Sequence, residues 1–284
     1  MRRVLLLGGS GQLGTAICQR WQDCEIVAPP HGELALERSD RLVEAIERVR
    51  FDVIVNAAAF HDVDRCEEEP RRALEINALA VGEAARIARD RDITFVTIST
   101  DYVFDGRSNE PYAETDVPHP ISLYGISKLA GEYLVERLGG RAFVVRTCGV
   151  YGATPSSRGR PALIERVLAQ RESPEPLRVV ADVVASPTFA GDLADALRRL
   201  IETEAYGICH AVNAGPVSWY DFACEARDRG GIHVAIEPIS AREWKTRAPR
   251  PRFSALENAK LKALGIAMPS WRAGIAAYLG LPVR

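Results

Sequence analysis

Long apolar runs are missing from this 284-residue chain. A membrane-spanning helix needs about 18 or more consecutive apolar residues, and no stretch approaches that length. The start, Met1-Arg2-Arg3 before Val4–Leu7, has the charge order of a secretory leader, but its apolar run is too short and breaks into glycines. It is read as a buried first strand. Charge of one sign is missing too: 36 Lys and Arg face 38 Asp and Glu, a formal net charge of −2. No global field therefore draws the chain to nucleic acid or membrane, and an anionic ligand must be met by local donors. Cysteine is sparse. Its six positions (Cys18, Cys24, Cys66, Cys148, Cys209, Cys224) form no C-x-x-C pair, which predicts reduced thiols in a cytoplasmic protein rather than a disulfide frame. The five histidines lie far apart, without zinc-ligand spacing, so no metal is expected.

What is present is the composition of a globular protein, 47% hydrophobic and 26% charged. Short apolar runs alternate with helical patterns through the first half. Val4–Leu7, Glu25–Ala28, Asp52–Val55, Ile93–Ile98 and Ala142–Val145 read as strands. Gln12–Trp21, Ser39–Val49 (opened by Ser39 as a cap), a stretch from Pro70 through Ala73–Arg89, and Ile121–Leu138 read as helices. Apolar strands separated by helices predict a parallel sheet covered on both faces. The fold class is therefore α/β, a doubly wound Rossmann-type sheet with ligands at the carboxyl ends of its strands. The alternation fails near Val150. Residues 1–150 are thus expected to bind a dinucleotide, and 151–284 to form mainly a smaller C-terminal substrate-binding lobe, with segments within about 177–212 open to returning to the main sheet.

Leu7 is followed by Gly8-Gly9-Ser10-Gly11-Gln12-Leu13-Gly14. Such a strand, glycine turn and helix start lets a pyrophosphate approach the main chain and meet free helix amides. Gly8, Gly11, Gln12, Leu13 and Gly14 are the candidate phosphate cradle. The second strand ends Ala28-Pro29-Pro30-His31 without the acid that holds the ribose of NAD. NADPH and NADH both remain open.

The fourth strand runs out in Ser99-Thr100-Asp101-Tyr102, and Tyr124 stands four residues before Lys128. On a helix that spacing puts both side chains on one face. A phenol is a sluggish proton donor near neutrality, and an ammonium nearby favours its phenolate. Thr100 is placed to hydrogen-bond the same carbonyl oxygen. Tyr124, Lys128 and Thr100 form the candidate catalytic set, with Ser99, Tyr124 and Lys128 also in the cofactor set.

These residues resemble the extended short-chain dehydrogenase/reductases and, more closely, the dTDP-4-dehydrorhamnose reductase family. The matching phrases are GGSGQLG (8–14), DVIVNAAA (52–59), ISTDYVFDG (98–106), PYAETD (111–116), YGISKLAGE (124–132), RTCGVYG (146–152), AGPVSWYDFA (214–223) and RPRFSALENAKL (250–261). The resemblance spans nearly the whole length. It implies reduction, by NADPH or NADH, of the 4-keto group of dTDP-4-dehydro-L-rhamnose, a dTDP-4-keto-6-deoxyhexose, on a route to surface polysaccharide. It implies that Ala58, Ala59 and Phe60 line the nicotinamide side and that Asp101, Tyr102 and Val63 lie near the sugar.

Three departures from the family pattern stand out. Gly149 replaces a tryptophan beside the sugar, which leaves a larger or differently filled pocket; Glu33-Leu34-Ala35-Leu36 lacks the acid of E-L-D-I; and D-Q-x-G-x-P-T reads Asp182-Val183-Val184-Ala185-Ser186-Pro187-Thr188. Some members bind magnesium through acids near the first helix, where this chain has Ala16. The oligomeric state stays open, a homodimer among the alternatives. Two other functions stay open as well: a reductase or epimerase acting on another nucleotide ketosugar, and a non-catalytic subunit like the methionine adenosyltransferase β subunit. Dehydratases carry Asp-Glu where Asp101-Tyr102 stands, which disfavours dehydration.

The carboxylates beside Cys66 (Glu67, Glu68, Glu69) read as solvated groups at a helix start. His61 reads as a local hydrogen-bonding residue. Arg158 and Arg160 are equally diphosphate clamps or surface residues. Trp219 and Tyr220 are expected to pack the small lobe, and Trp271, Ile275 and Leu279 to lie in its core.

Overall fold

The computed structural model describes residues 1–154, 161–171 and 175–282; Arg158 and Arg160 lie outside them. In chain order its elements are β1 (Arg2–Leu7), α1 (Gln12–Arg20), β2 (Cys24–Val27), α2 (Ser39–Arg48), β3 (Val53–Asn56), α3 (Val63–Glu68), α4 (Pro70–Leu74), a π-helical turn (Glu75–Leu79), α5 (Ala80–Asp90), β4 (Thr94–Thr100), a short 3₁₀ turn (Asp101–Val103), α6 (Leu123–Leu138) and β5 (Ala142–Thr147). There follow α7 (Leu163–Ala169), β6 (Leu177–Val180), β7 (Val184–Ala185), α8 (Ala190–Leu200), β8 (Gly207–His210), β9 (Val217–Ser218), α9 (Trp219–Arg229), β10 (Ile236–Ile239), α10 (Ala259–Ala263) and α11 (Trp271–Tyr278).

Six parallel strands form the main sheet in the order β2-β1-β3-β4-β5-β8. Side chains alternate across a strand, and this sheet uses both faces. Val4, Leu6, Val53, Val55 and Val145 pack with α1 and α8 on one side, whereas Leu5, Leu7, Ile54, Phe95 and Val144 pack with α2, α5 and α6 on the other. Fully burying one such side chain is worth roughly 1.5–3 kcal/mol, which explains why these strands read as unbroken apolar runs. From β1 the chain moves outward to β2 and then returns to β3 on the opposite side of β1. That reversal opens a crevice at the carboxyl ends of β1 and β3.

The second half divides. α8 returns to pack against α1, and β8 extends the sheet by pairing with β5, Arg146 opposite His210. β6 instead pairs in parallel with β10, and β7 pairs antiparallel with β9. Those two small sheets, with α7, α9 and α11, enclose a separate core that includes Ile164, Val167, Leu177, Phe222, Trp271 and Ile275.

One local expectation is corrected. Ser39 is the first residue of α2, not its cap; Arg38 holds the cap position and its guanidinium pairs with Asp40. The carboxylates beside Cys66 run from the end of α3 to the start of α4, with Glu68 and Glu69 partly exposed. Glu67 accepts from the Leu123 amide at 2.8 Å, at the start of α6, Glu68 pairs with Arg247, and Glu69 pairs with Arg65 and Arg72. No described helix is long and apolar enough to cross a membrane.

Candidate active site

A cleft of about 1000 Å³ runs from the turn after β1, past the ends of β3, β4 and β5, into the second half of the chain. Its first wall is the glycine turn. Gly8 has φ +84°, and a Cβ there would lie 2.8 Å from the Ala58 nitrogen; a Cβ on Gly14 would lie 2.2 Å from the Gly8 carbonyl oxygen. Only glycine permits so close a packing of turn, helix start and β3 loop. Gly11 caps α1 without a side-chain bond, so the first helix amides face the cleft for an anion. Farther along, Thr147 in the cleft wall has a buried Oγ1 with no hydrogen-bond partner among the described residues. A phosphate cradle at one end and an orphaned hydroxyl along the wall fit a dinucleotide with a second polar ligand beside it.

Helix α6 is brought in by another close approach. A Cβ on Gly125 would lie 2.2 Å from the Tyr102 carbonyl oxygen, and one on Gly131 equally close to that of Asn77. Both glycines let α6 press against the ends of β4 and the π-helical turn. Ser122 caps α6 by accepting from the Gly125 amide at 3.2 Å. Tyr124 then lies in the cleft wall, its ring edge-on to Tyr102 with centroids 5.9 Å apart. Lys128, only 4% exposed, donates to the Ile98 carbonyl oxygen at 2.6 Å. Burial lowers its pKa to about 8, against the opposing pull of Glu132.

Under this helix lies a buried ion pair. Arg146 donates to Glu132 at 2.6 Å, with both side chains 1% exposed. Ser99 donates its hydroxyl to the same carboxylate, and the guanidinium carbon lies 5.2 Å from the centre of the Phe104 ring. Beside it, Asp101 accepts from Ser254 Oγ at 2.6 Å, from Cys148 Sγ at 3.1 Å and from Thr100 Oγ1 at 3.1 Å. Burial pushes the Asp101 carboxyl up to about 6, opposed by those hydrogen bonds.

The second half of the chain closes the cleft with Arg166, Arg242, Lys245 and Arg252, local cations suited to a diphosphate in a chain that is nearly neutral overall. Arg250 of the same segment is held by Asp64 of α3 at 3.0 Å. Trp219, at the start of α9, also faces the cleft, and its ring lies against Gly149.

A family model, the RmlD substrate binding domain, matches residues 1–281. The chain belongs to the dTDP-4-dehydrorhamnose reductase family. It is 33% identical to the dTDP-4-dehydrorhamnose reductase of Aggregatibacter actinomycetemcomitans, with 96% of each chain covered. It is 34% identical to the spore coat polysaccharide biosynthesis protein SpsK of Bacillus subtilis, over 98% of this chain and 97% of that one. Among solved structures, the reductase of Bacillus anthracis in complex with NADP superposes with a TM-score of 0.93 at 32% identity, covering 98% of each chain. UDP-glucose 4-epimerase of Thermus thermophilus, 20% identical with a TM-score of 0.82, shares the fold.

Against that family background, the residues singled out in the sequence fall into two groups. Gly11, Gln12, Leu13, Gly14, Ala58, Ala59, Val63, Ser99, Thr100, Asp101, Tyr102, Tyr124, Lys128 and Gly149 all line the cleft, as does His61. Gly8 lies behind it and shapes the turn. Phe60 follows Ala59 at the cleft edge; its ring carries the guanidinium groups of Arg65 and Arg72 at 5.4 and 5.2 Å, and its amide and carbonyl are both bound by Asn77. Ser99 and Asp101 lie at the cleft, but their side chains are engaged by neighbouring protein groups. Trp219 packs against the lobe core, as expected, and also borders the cleft. Asn77 was not anticipated. Buried on the π-helical turn, it also donates to Ser127 at 3.0 Å and so ties the loop after β3 to α6. A polar residue on the buried face of an otherwise amphipathic stretch was its signal, and π turns recur at functional sites.

Proposed function

We propose that this protein reduces the 4-keto group of dTDP-4-dehydro-L-rhamnose to give dTDP-L-rhamnose, with NADPH or NADH. What supports this reading most is Tyr124 and Lys128 one turn apart on a buried helix face, at the open end of a sheet whose first turn is built for a pyrophosphate. Gly11, Gln12, Leu13 and Gly14 would hold the dinucleotide phosphates in the turn that Gly8 shapes, and Ala58 and Ala59 would flank its nicotinamide. When bound, the reduced cofactor supplies a hydride to the carbonyl carbon. Tyr124 gives the proton that the carbonyl oxygen needs as it becomes a hydroxyl. Lys128 favours the phenolate that remains and would hold the ribose. Thr100, by turning its hydroxyl proton from Asp101 toward the substrate, would donate to the same oxygen.

Small Ala28, in contact range of Gly9 where an acid for the adenosine ribose would stand, supports NADPH as the better donor, as does the NADP-bound relative. The same reading places the protein in the cytoplasm with a nucleotide-sugar substrate. Purified protein given dTDP-4-dehydro-L-rhamnose is expected to oxidise NADPH, with dTDP-L-rhamnose as product and Tyr124→Phe inactive. Failure to turn over with either cofactor would overturn the reading.

A further inference from the structure

We infer that the indole of Trp219 forms the wall against which the hexose ring of the substrate packs, and that Gly149 is what admits it. This rests on the proposed function and names the part of the site that selects the sugar. Gly149 stands two residues beyond Thr147, whose partner across the sheet is Thr100. It therefore borders the carbonyl end of the cleft. Its φ is +50°, a left-handed conformation that costs residues with a Cβ. A Cβ built on it would lie only 2.6 Å from Cη2 of Trp219. No side chain at 149 can share this space with the indole where it stands.

The ring is held from the other half of the molecule. The Trp219 amide donates to the Val183 carbonyl at 3.2 Å, so the ladder of β7 and β9 fixes its backbone. Ser218 caps α9 immediately before it, and Phe222 meets the indole edge-on at 6.1 Å. The side chain stays half-buried and faces the cleft. Trp244, the other indole of the cleft, lies on a separate segment under the Arg166 guanidinium at 5.8 Å. Trp219 thus offers a rigid apolar surface next to the strand ends that carry Thr100, Asp101 and Tyr102. A 6-deoxyhexose presents an apolar C–H face and a methyl group that match it, whereas the nucleoside diphosphate needs the cations and free amides elsewhere in the cleft.

The experiment compares dTDP with dTDP-L-rhamnose by isothermal titration on protein saturated with NADP⁺. Trp219→Ala is expected to weaken dTDP-L-rhamnose about tenfold and leave dTDP unchanged. Trp219→Phe should lose less. Gly149→Ala should give the same selective loss with the tryptophan still in place. NADP⁺ affinity reports folding; if Trp219→Ala loses it, Trp219→Phe and Gly149→Ala decide. Equal losses for both ligands, or none for either, overturn the inference. Wild-type protein that binds dTDP-L-rhamnose more tightly than dTDP yet never oxidises NADPH would sink the proposed function and leave the indole wall standing.

Discussion

The ammonium of Lys128 donates to the carbonyl oxygen of Ile98 at 2.6 Å from a nearly solvent-free position. Taken from water with one carbonyl and a distant carboxylate for company, it holds its proton less firmly, and its pKa falls to about 8. The ammonium is present below that pH and is lost as pH rises through it. In the free enzyme, kcat/KM is therefore expected to fall above about pH 8. Lys128→Met should lose that arm along with roughly 10²-fold or more of kcat. A pH–rate profile of both proteins checks this, and an unchanged alkaline limb in the variant would refute it.

Gly125 and the Tyr102 carbonyl set the distance between α6 and the end of β4. An alanine at 125 would bring its Cβ to 2.2 Å from that oxygen, so α6 must move outward and carry Tyr124 with it. Misplacement by about 1 Å can cost roughly 10²-fold in rate. Gly125→Ala is expected to lower kcat by that order while circular dichroism and NADPH affinity stay near wild type. Full activity in the variant would show that the helix tolerates the shift.

Much of this arrangement could be read before the fold was known, and the reason is locality. The cradle at 8–14 and the Tyr124–Lys128 pair depend on spacings of a few residues, set by turn and helix geometry. The doubly wound sheet followed from apolar strands alternating with helices. What depended on distant pairing was not legible. β6 and β8 are each four residues long, and only long-range contacts send one to the lobe and the other beside β5. The contacts of the Phe60 ring with Arg65 of α3 and Arg72 of α4 likewise carry no local signal. The meeting of Gly149 with Trp219 joins positions 70 residues apart in sequence. PYAETD was recognisable as a phrase although its work is structural: Tyr112 stacks on Phe104 at 4.2 Å, and Glu114 accepts from the amides of His210 and Lys260.

Asp101 should leave a mark on stability. Its carboxyl is raised in the folded state from an ordinary 3.8 to about 6. Between those values the folded protein binds the proton more tightly than the unfolded chain, so this group stabilises at low pH and the benefit is lost as pH rises through about 6. The difference is worth roughly 3 kcal/mol. Asp101→Asn, which keeps an acceptor for Ser254 and Cys148, is expected to remove it. Urea unfolding of both proteins between about pH 4 and 6 checks the prediction: the stability gap should shift across that window in favour of the variant, and a constant gap would show that Asp101 does not titrate there.

The Glu132–Arg146 pair joins this stability to the chemistry. Arg146→Met leaves the Glu132 carboxylate buried with Ser99 as its remaining side-chain donor. Breaking a buried pair from one side costs about 3–5 kcal/mol, whereas replacing both partners by apolar residues of similar volume is often neutral. Arg146→Met with Glu132→Leu is thus expected to recover most of the stability lost by Arg146→Met alone. Catalysis should not recover with it. Glu132 is the charge that holds the Lys128 ammonium against its burial, so the double variant should place its alkaline limb below that of wild type. Urea midpoints and pH–rate profiles, measured on the single and double variants, separate the two roles. An alkaline limb that stays where wild type has it would mean that Glu132 serves the fold alone.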